Sequence, residues 1–78
     1  MSGLVLFVRE GCHLCDEFLL GLSLDLGPGH DALTVRDVDT DPELALRYGL
    51  RVPVLESDGT LLWEGVYDSQ QVRRALRL

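Results

Sequence analysis

The sequence predicts one α/β domain with the element order βαβαββα: a four-stranded mixed sheet flanked by three helices. Three observations predict it: a continuous apolar run near the N-terminus, two helical segments that each follow a strand, and an Asp-Gly pair between two apolar runs near the C-terminus. A chain of 78 residues has room for one modest core, since a domain of this size buries only roughly 60% of the surface of its unfolded chain. Apolar residues make up 46% and charged residues 26%, a globular rather than disordered composition. The whole chain, residues 1–78, is therefore expected to form this single domain.

Leu4-Val5-Leu6-Phe7-Val8 is apolar throughout and bounded by Gly3 and by Arg9-Glu10-Gly11, the pattern of a strand buried on both faces and central in its sheet. Asp16-Glu17 then places acids in a first helical turn, and Phe18, Leu19, Leu22 and Leu26 recur at helical spacing up to the stop at Gly27-Pro28-Gly29. Gly21 lies inside this helix at a cost of roughly 1 kcal/mol against alanine, which suggests a bend or a close approach. Leu33–Val38 alternates like a half-exposed strand near an edge, parallel to the first through a right-handed crossover. Asp41 as N-cap, Pro42 as first helical residue and Glu43 open a second helix carrying Leu44, Ala45 and Tyr48, and Gly49 stops it. Val52–Leu55 and Leu61–Trp63 flank Asp58-Gly59, a two-residue hairpin signal, so these strands should be antiparallel. Asp68 or Ser69 caps a last helix with Val72, Ala75 and Leu76, and Gln71 can complete a capping box from Asp68.

The only two cysteines, Cys12 and Cys15, fall at the junction of the first strand and first helix, in Cys12-His13-Leu14-Cys15. The unpartnered N–H groups of a first helical turn favour a thiolate there. Glu10, Asp16 and Glu17 oppose that effect, and a protonated His13 offsets them. In a reducing compartment such a pair is redox-active or metal-binding rather than a structural staple. The metal reading uses Cys12, His13 and Cys15 as zinc ligands with His30 or Asp16 as a fourth, or one pair from each of two chains around an iron–sulfur cluster. A third reading is an interaction domain with inactive cysteines.

Composition narrows the partners. The formal charge is −6 and all seven basic residues are arginines, which argues against nucleic acid. Asp31, Asp37, Asp39, Asp41 and Glu43 oppose a single charge, Arg36, and read as a solvated acidic face or, second, as a docking surface for a basic partner. Arg73, Arg74 and Arg77 complement the dipole of the last helix. A calcium loop through Asp37, Asp39 and Asp41 fails because Pro42 takes the glycine position and Tyr48 the glutamate position. No segment reaches the roughly 20 apolar residues of a membrane span, and Met1-Ser2-Gly3 carries no charged leader, so a cytoplasmic monomer is expected. Trp63 is assigned to core or hairpin cover.

Cys-x-x-Cys between a strand and a helix, the proline in Val52-Pro53 before the third strand, and the element order together make the chain resemble the glutaredoxins of the thioredoxin-fold superfamily. It is similar to small bacterial glutaredoxin-like proteins with a Cys-His-Leu-Cys motif and an Asp-Val-Asp-x-Asp-Pro segment. The resemblance implies a thiol-disulfide oxidoreductase in which Cys12 is the nucleophile and Cys15 the resolving thiol. It implies glutathione as a co-substrate, no tightly bound cofactor, and either glutathione or a thioredoxin-type reductase as electron donor. It also implies a cis peptide bond before Pro53, with the Val52 backbone free to pair with a bound peptide or glutathione. Arg9 matches a basic residue near the dithiol, His13 borders it, and Gly65, Tyr67 and Asp68 match the turn that holds the amino end of glutathione. The chain departs from the family pattern in carrying His13-Leu14 for Pro-Tyr, Glu64-Gly65 for paired glycines and Tyr67-Asp68 for paired aspartates. The first change removes a ring that frames glutathione.

Overall fold

The computed structural model describes residues 3–28 and 33–78. The strands are β1 (Leu4–Val8), β2 (Leu33–Asp37), β3 (Val54–Ser57) and β4 (Thr60–Glu64), and the helices are α1 (His13–Leu26), α2 (Pro42–Tyr48) and α3 (Ser69–Leu76). The sheet order is β2-β1-β3-β4, with β1 parallel to β2 and antiparallel to β3, and β3 antiparallel to β4. The most apolar strand is thus inside the sheet and the polar β2 at its edge, as their patterns require.

Period-2 alternation sends β1 side chains to two cores. Leu4 and Leu6 join Phe18 and Leu22 of α1, Leu55 of β3 and Val72 of α3 on one face. Phe7 joins Val38, Leu44, Tyr48 and Val54 on the α2 face. Trp63 is half-buried on the first face, and its indole N–H donates to the Val66 carbonyl at 2.9 Å. The hairpin turns on Asp58 and Gly59, both with positive φ (51° and 81°), the conformation that Asp-Gly favours. Asp58 also ties the turn to the chain's start, its carboxylate accepting the Gly3 N–H at 2.9 Å.

Three details differ from the sequence expectation. Strand β2 ends at Asp37, because the Asp37 carboxylate accepts the Asp39 N–H at 2.9 Å and nucleates a 3₁₀ turn over Val38–Thr40, which buries Val38. Gly49 follows α2 with φ −56°, in the right-handed helical region. It is required by space instead, since a Cβ there would meet the Ala45 carbonyl and lie 2.9 Å from Nη2 of Arg9. Ala75 is exposed, so α3 holds the core through Val72 and, half-buried, Leu76.

Gly21 is the close approach that its position inside α1 suggests. A Cβ there would lie 2.5 and 2.6 Å from Cδ2 and Cε2 of Tyr67. The Tyr67 ring also packs edge-on against Phe18, with centroids 4.8 Å apart, so α1 is gripped between the sheet and the β4–α3 connection. This grip fixes the N-terminus of α1, where the cysteines lie.

Candidate active site

The dithiol is built by the start of α1. Cys12 is the N-cap residue, with φ −91° and ψ 104°, and Cys15 lies in the first turn. The two are joined by a disulfide with Cα atoms 5.2 Å apart. The Cys15 N–H donates to the Cys12 sulfur at 3.1 Å and to the Cys12 carbonyl at 3.1 Å, and the Asp16 N–H donates to that carbonyl at 3.2 Å. The Asp16 bond is the first i→i−4 bond of the helix, whereas the Cys15 N–H, one of those that a helix start leaves without an i−4 partner, is turned on the Cys12 sulfur. Cys15 is only 2% exposed, whereas Cys12 is half-buried. Their environments separate an accessible sulfur from a sheltered one.

His13 pairs with Glu17 one turn on (Nε2 to Oε2, 2.9 Å) at the exposed helix surface. Glu10, Asp16 and Glu17 are all exposed. Arg9 is a strut. Its Nε and Nη2 donate to Asp39 at 3.0 and 2.8 Å, and its Nη1 donates to the Gly49 carbonyl at 2.9 Å. It therefore ties the end of β1 to the 3₁₀ turn and to the end of α2, with its hydrogen-bonding nitrogens engaged.

The Val52–Pro53 peptide bond is cis, and Pro53 is buried. The Val52 N–H donates to the Tyr48 carbonyl at 2.9 Å, beside the Arg51 N–H at 2.8 Å. This corrects the expectation of a Val52 backbone wholly free for a bound peptide: closing the end of α2 takes the amide and leaves the carbonyl. Gly65 has φ +86° and its N–H donates to the Pro53 carbonyl at 2.9 Å, so the β4–α3 turn is stitched to the proline. Tyr67 turns into the α1 interface, where its hydroxyl donates to Asp25. Asp68 caps α3 by accepting the Gln71 N–H at 3.1 Å.

Beside the bridge lies an open cleft of about 450 Å³ between α1 and β2, with Cys15 in its wall. Among the described residues, no group of three or more His, Cys, Asp or Glu side chains could hold a metal ion. His30, offered by sequence as a zinc ligand, lies outside the described residues. No helix among the described residues is long and apolar enough to cross a membrane.

The family model "Glutaredoxin-like domain (DUF836)" matches residues 3–77. The chain belongs to the glutaredoxin-like family. An X-ray structure of the Northeast Structural Genomics target protein XcR50 from X. campestris is similar over 95% of both chains, at 29% sequence identity and a TM-score of 0.74. No curated protein matches the chain. Family, topology and paired cysteines agree on an α/β thioredoxin-like fold with a thiol redox centre.

The partnerships of two carboxylates in this glutaredoxin-like domain escaped the sequence reading. One is Asp39, the partner of Arg9 across 30 residues. The other is Asp25, which accepts the Tyr67 and Ser69 hydroxyls, the latter at 2.6 Å, and lies 3.5 Å from Arg73. An acid near a helix C-terminus works against the helix dipole, and that misfit was the available signal for Asp25.

These contacts set the pH range of the fold. Hydrogen bonds hold three carboxylates below their ordinary range: Asp25 through Ser69 and Tyr67, Asp39 through Arg9, and Glu64 through Arg51. A depressed carboxylate stabilises the fold above its unfolded pKa of about 4, and that contribution is lost as pH falls through the folded value. Tyr67 is shifted upward by burial and by Asp25, and Tyr48 by its bond to Glu56 and by burial. A raised tyrosine stabilises fully below its unfolded pKa of about 10, and that contribution is lost as pH rises through the folded value. Urea midpoints should therefore be nearly flat from about pH 5 to 9 and fall outside that range. Asp25→Asn should flatten the acid limb and Tyr67→Phe the alkaline limb; limbs unchanged in both variants would refute this assignment.

Proposed function

We propose that this chain is a thiol-disulfide oxidoreductase that reduces disulfides of partner proteins. One observation carries the reading: across the Cys12–Cys15 bridge, the half-buried sulfur sits at the helix N-cap and the other is buried within the first turn. In the reduced form, Cys12 thiolate attacks one sulfur of the substrate disulfide, forming a mixed disulfide and releasing the other as thiolate. Cys15, deprotonated, then attacks the Cys12 sulfur, the second substrate thiolate leaves, and the bridge remains. Two electrons pass from the dithiol to the substrate, and a dithiol or glutathione-type reductant returns them.

The Cys15 N–H and the start of α1 favour negative charge on Cys12. Protein disulfides are favoured over glutathione because the groups matched to glutathione are otherwise engaged: Arg9 with Asp39, the Val52 amide with Tyr48, Tyr67 with Asp25 and Asp68 with Gln71. The open dithiol requires a reducing compartment, for which we infer the cytoplasm.

The test is a redox titration of the pair, with trapping by Cys15→Ser. The bridge should open and close within the roughly −120 to −300 mV span of dithiol catalysts, and the variant should retain a protein disulfide on Cys12. A bridge that never opens in that span, or a variant that traps nothing, would overturn the reading. A trapped glutathione alone would reverse the substrate preference.

A further inference from the structure

The cleft between α1 and β2 shares only Cys15 with the mechanism above, and it borders β2, one of the two edge strands of the sheet. We propose that the outer edge of β2 and this cleft form a docking surface for an extended, arginine- or lysine-bearing segment of a partner protein, bound as an added strand.

Three observations converge on it. First, β2 pairs only with β1 among the described residues, so alternate residues of Leu33–Arg36 present N–H and C=O groups without a strand partner along its other edge, the template for strand addition, while the Asp37 carbonyl accepts the Thr40 hydroxyl at 2.7 Å. Second, the face beside that edge is apolar but not covered. Register pairs Leu6 with Val35 and Val8 with Asp37, which places Val35 and Asp37 on the α1 face; Val35 is 45% exposed and floors the cleft with Val8 and Leu19. Third, the cleft is charged with one sign. Glu10, Asp16 and Asp37 line it, one Asp37 carboxylate oxygen accepting the Asp39 N–H, while Arg9, the one cation among the described residues of its wall, is committed to Asp39 and the Gly49 carbonyl. Arg36 pairs with Phe7 and so belongs to the α2 face.

A strand added beside β2 sends every second side chain over the α1 face. There an aliphatic stem covers Val35 and Leu19 while its cationic head reaches the three carboxylates. Charge selects the occupant: an acidic segment or a second copy of this chain, itself at −6, meets like charge. The proposal concerns binding and stands whether or not the dithiol turns over.

The experiment titrates the full-length, ¹⁵N-labelled chain with an acetylated, amidated hexapeptide alternating valine and arginine. The controls are its valine–glutamate counterpart and the same basic peptide with alternate amides N-methylated. The basic peptide should shift the amides of residues 33–37 and of Gly11 and Asp16, in both the oxidised and the reduced protein. Affinity should fall about tenfold for Asp16→Asn/Asp37→Asn, and also for Val35→Lys, which puts a cation in the cleft without touching the core. Methylation should abolish the shifts in β2. Equal binding of the acidic peptide, unchanged affinity in both variants, shifts confined to Val52–Val66, or self-association through β2 would each overturn the proposal.

Discussion

Cys12→Ser is expected to abolish dithiol-dependent disulfide reduction, leaving no more than about one thousandth of the wild-type rate. The substitution separates chemistry from structure unusually well. Serine is a favoured N-cap residue, and its hydroxyl can accept the Cys15 N–H that now reaches the Cys12 sulfur, so α1 keeps its cap. What is lost is the thiol, and a hydroxyl in its place does not attack a disulfide. Cys15→Ser should behave differently: the first attack survives, the mixed disulfide accumulates, and turnover becomes dependent on an added thiol to release it. Rates measured with a protein disulfide substrate under excess dithiol distinguish the two. Equal, partial losses in both variants would mean that the cysteines do not have separate roles, and activity surviving in Cys12→Ser would remove the proposed nucleophile.

The topology was legible because its signals are local. An unbroken apolar strand, Asp41-Pro42 at a helix start and Asp58-Gly59 between two short apolar runs each act within a few residues, and together they leave few ways to assemble the sheet. The cysteines were legible for the same reason, lying three positions apart at a strand-to-helix junction. The surroundings of the site were not, because they depend on contacts between distant segments. Arg9 read as a group near the dithiol, yet its partners Asp39 and Gly49 lie 30 and 40 residues away. Tyr67 read as a candidate substrate contact, but the absence of a side chain at Gly21 and the carboxylate of Asp25 draw its ring and hydroxyl toward α1. Asp68 shows both cases at once: its capping role was written in the spacing to Gln71, and that role engages the carboxylate that the resemblance assigns to a ligand. The cleft beside β2 has no sequence signature, since it is bounded by residues drawn from three elements.

Phe18→Ala carries the largest expected effect on stability, about 3–5 kcal/mol, because it empties a site that is fully buried. Domains of this length are stable by about 4–12 kcal/mol in total, so the variant should lose at least a quarter of its stability and at the low end should not fold at all. Phe18 occupies the first turn after Cys15 and stands between β1, β3 and the Tyr67 ring, which meets it at 77°. The ring therefore links the helix that presents the dithiol to both the sheet and the β4–α3 connection. Phe18→Leu keeps most of the volume and should cost no more than about 2 kcal/mol. Leu20→Ala, two positions along the same helix but 65% exposed, should change stability by no more than about 0.5 kcal/mol. Urea midpoints for the three variants, all with the bridge intact, give the comparison directly. If Phe18→Ala and Leu20→Ala shifted the midpoint equally, α1 would not be docked through Phe18, and the exposure difference between Cys12 and Cys15 would lose its structural cause.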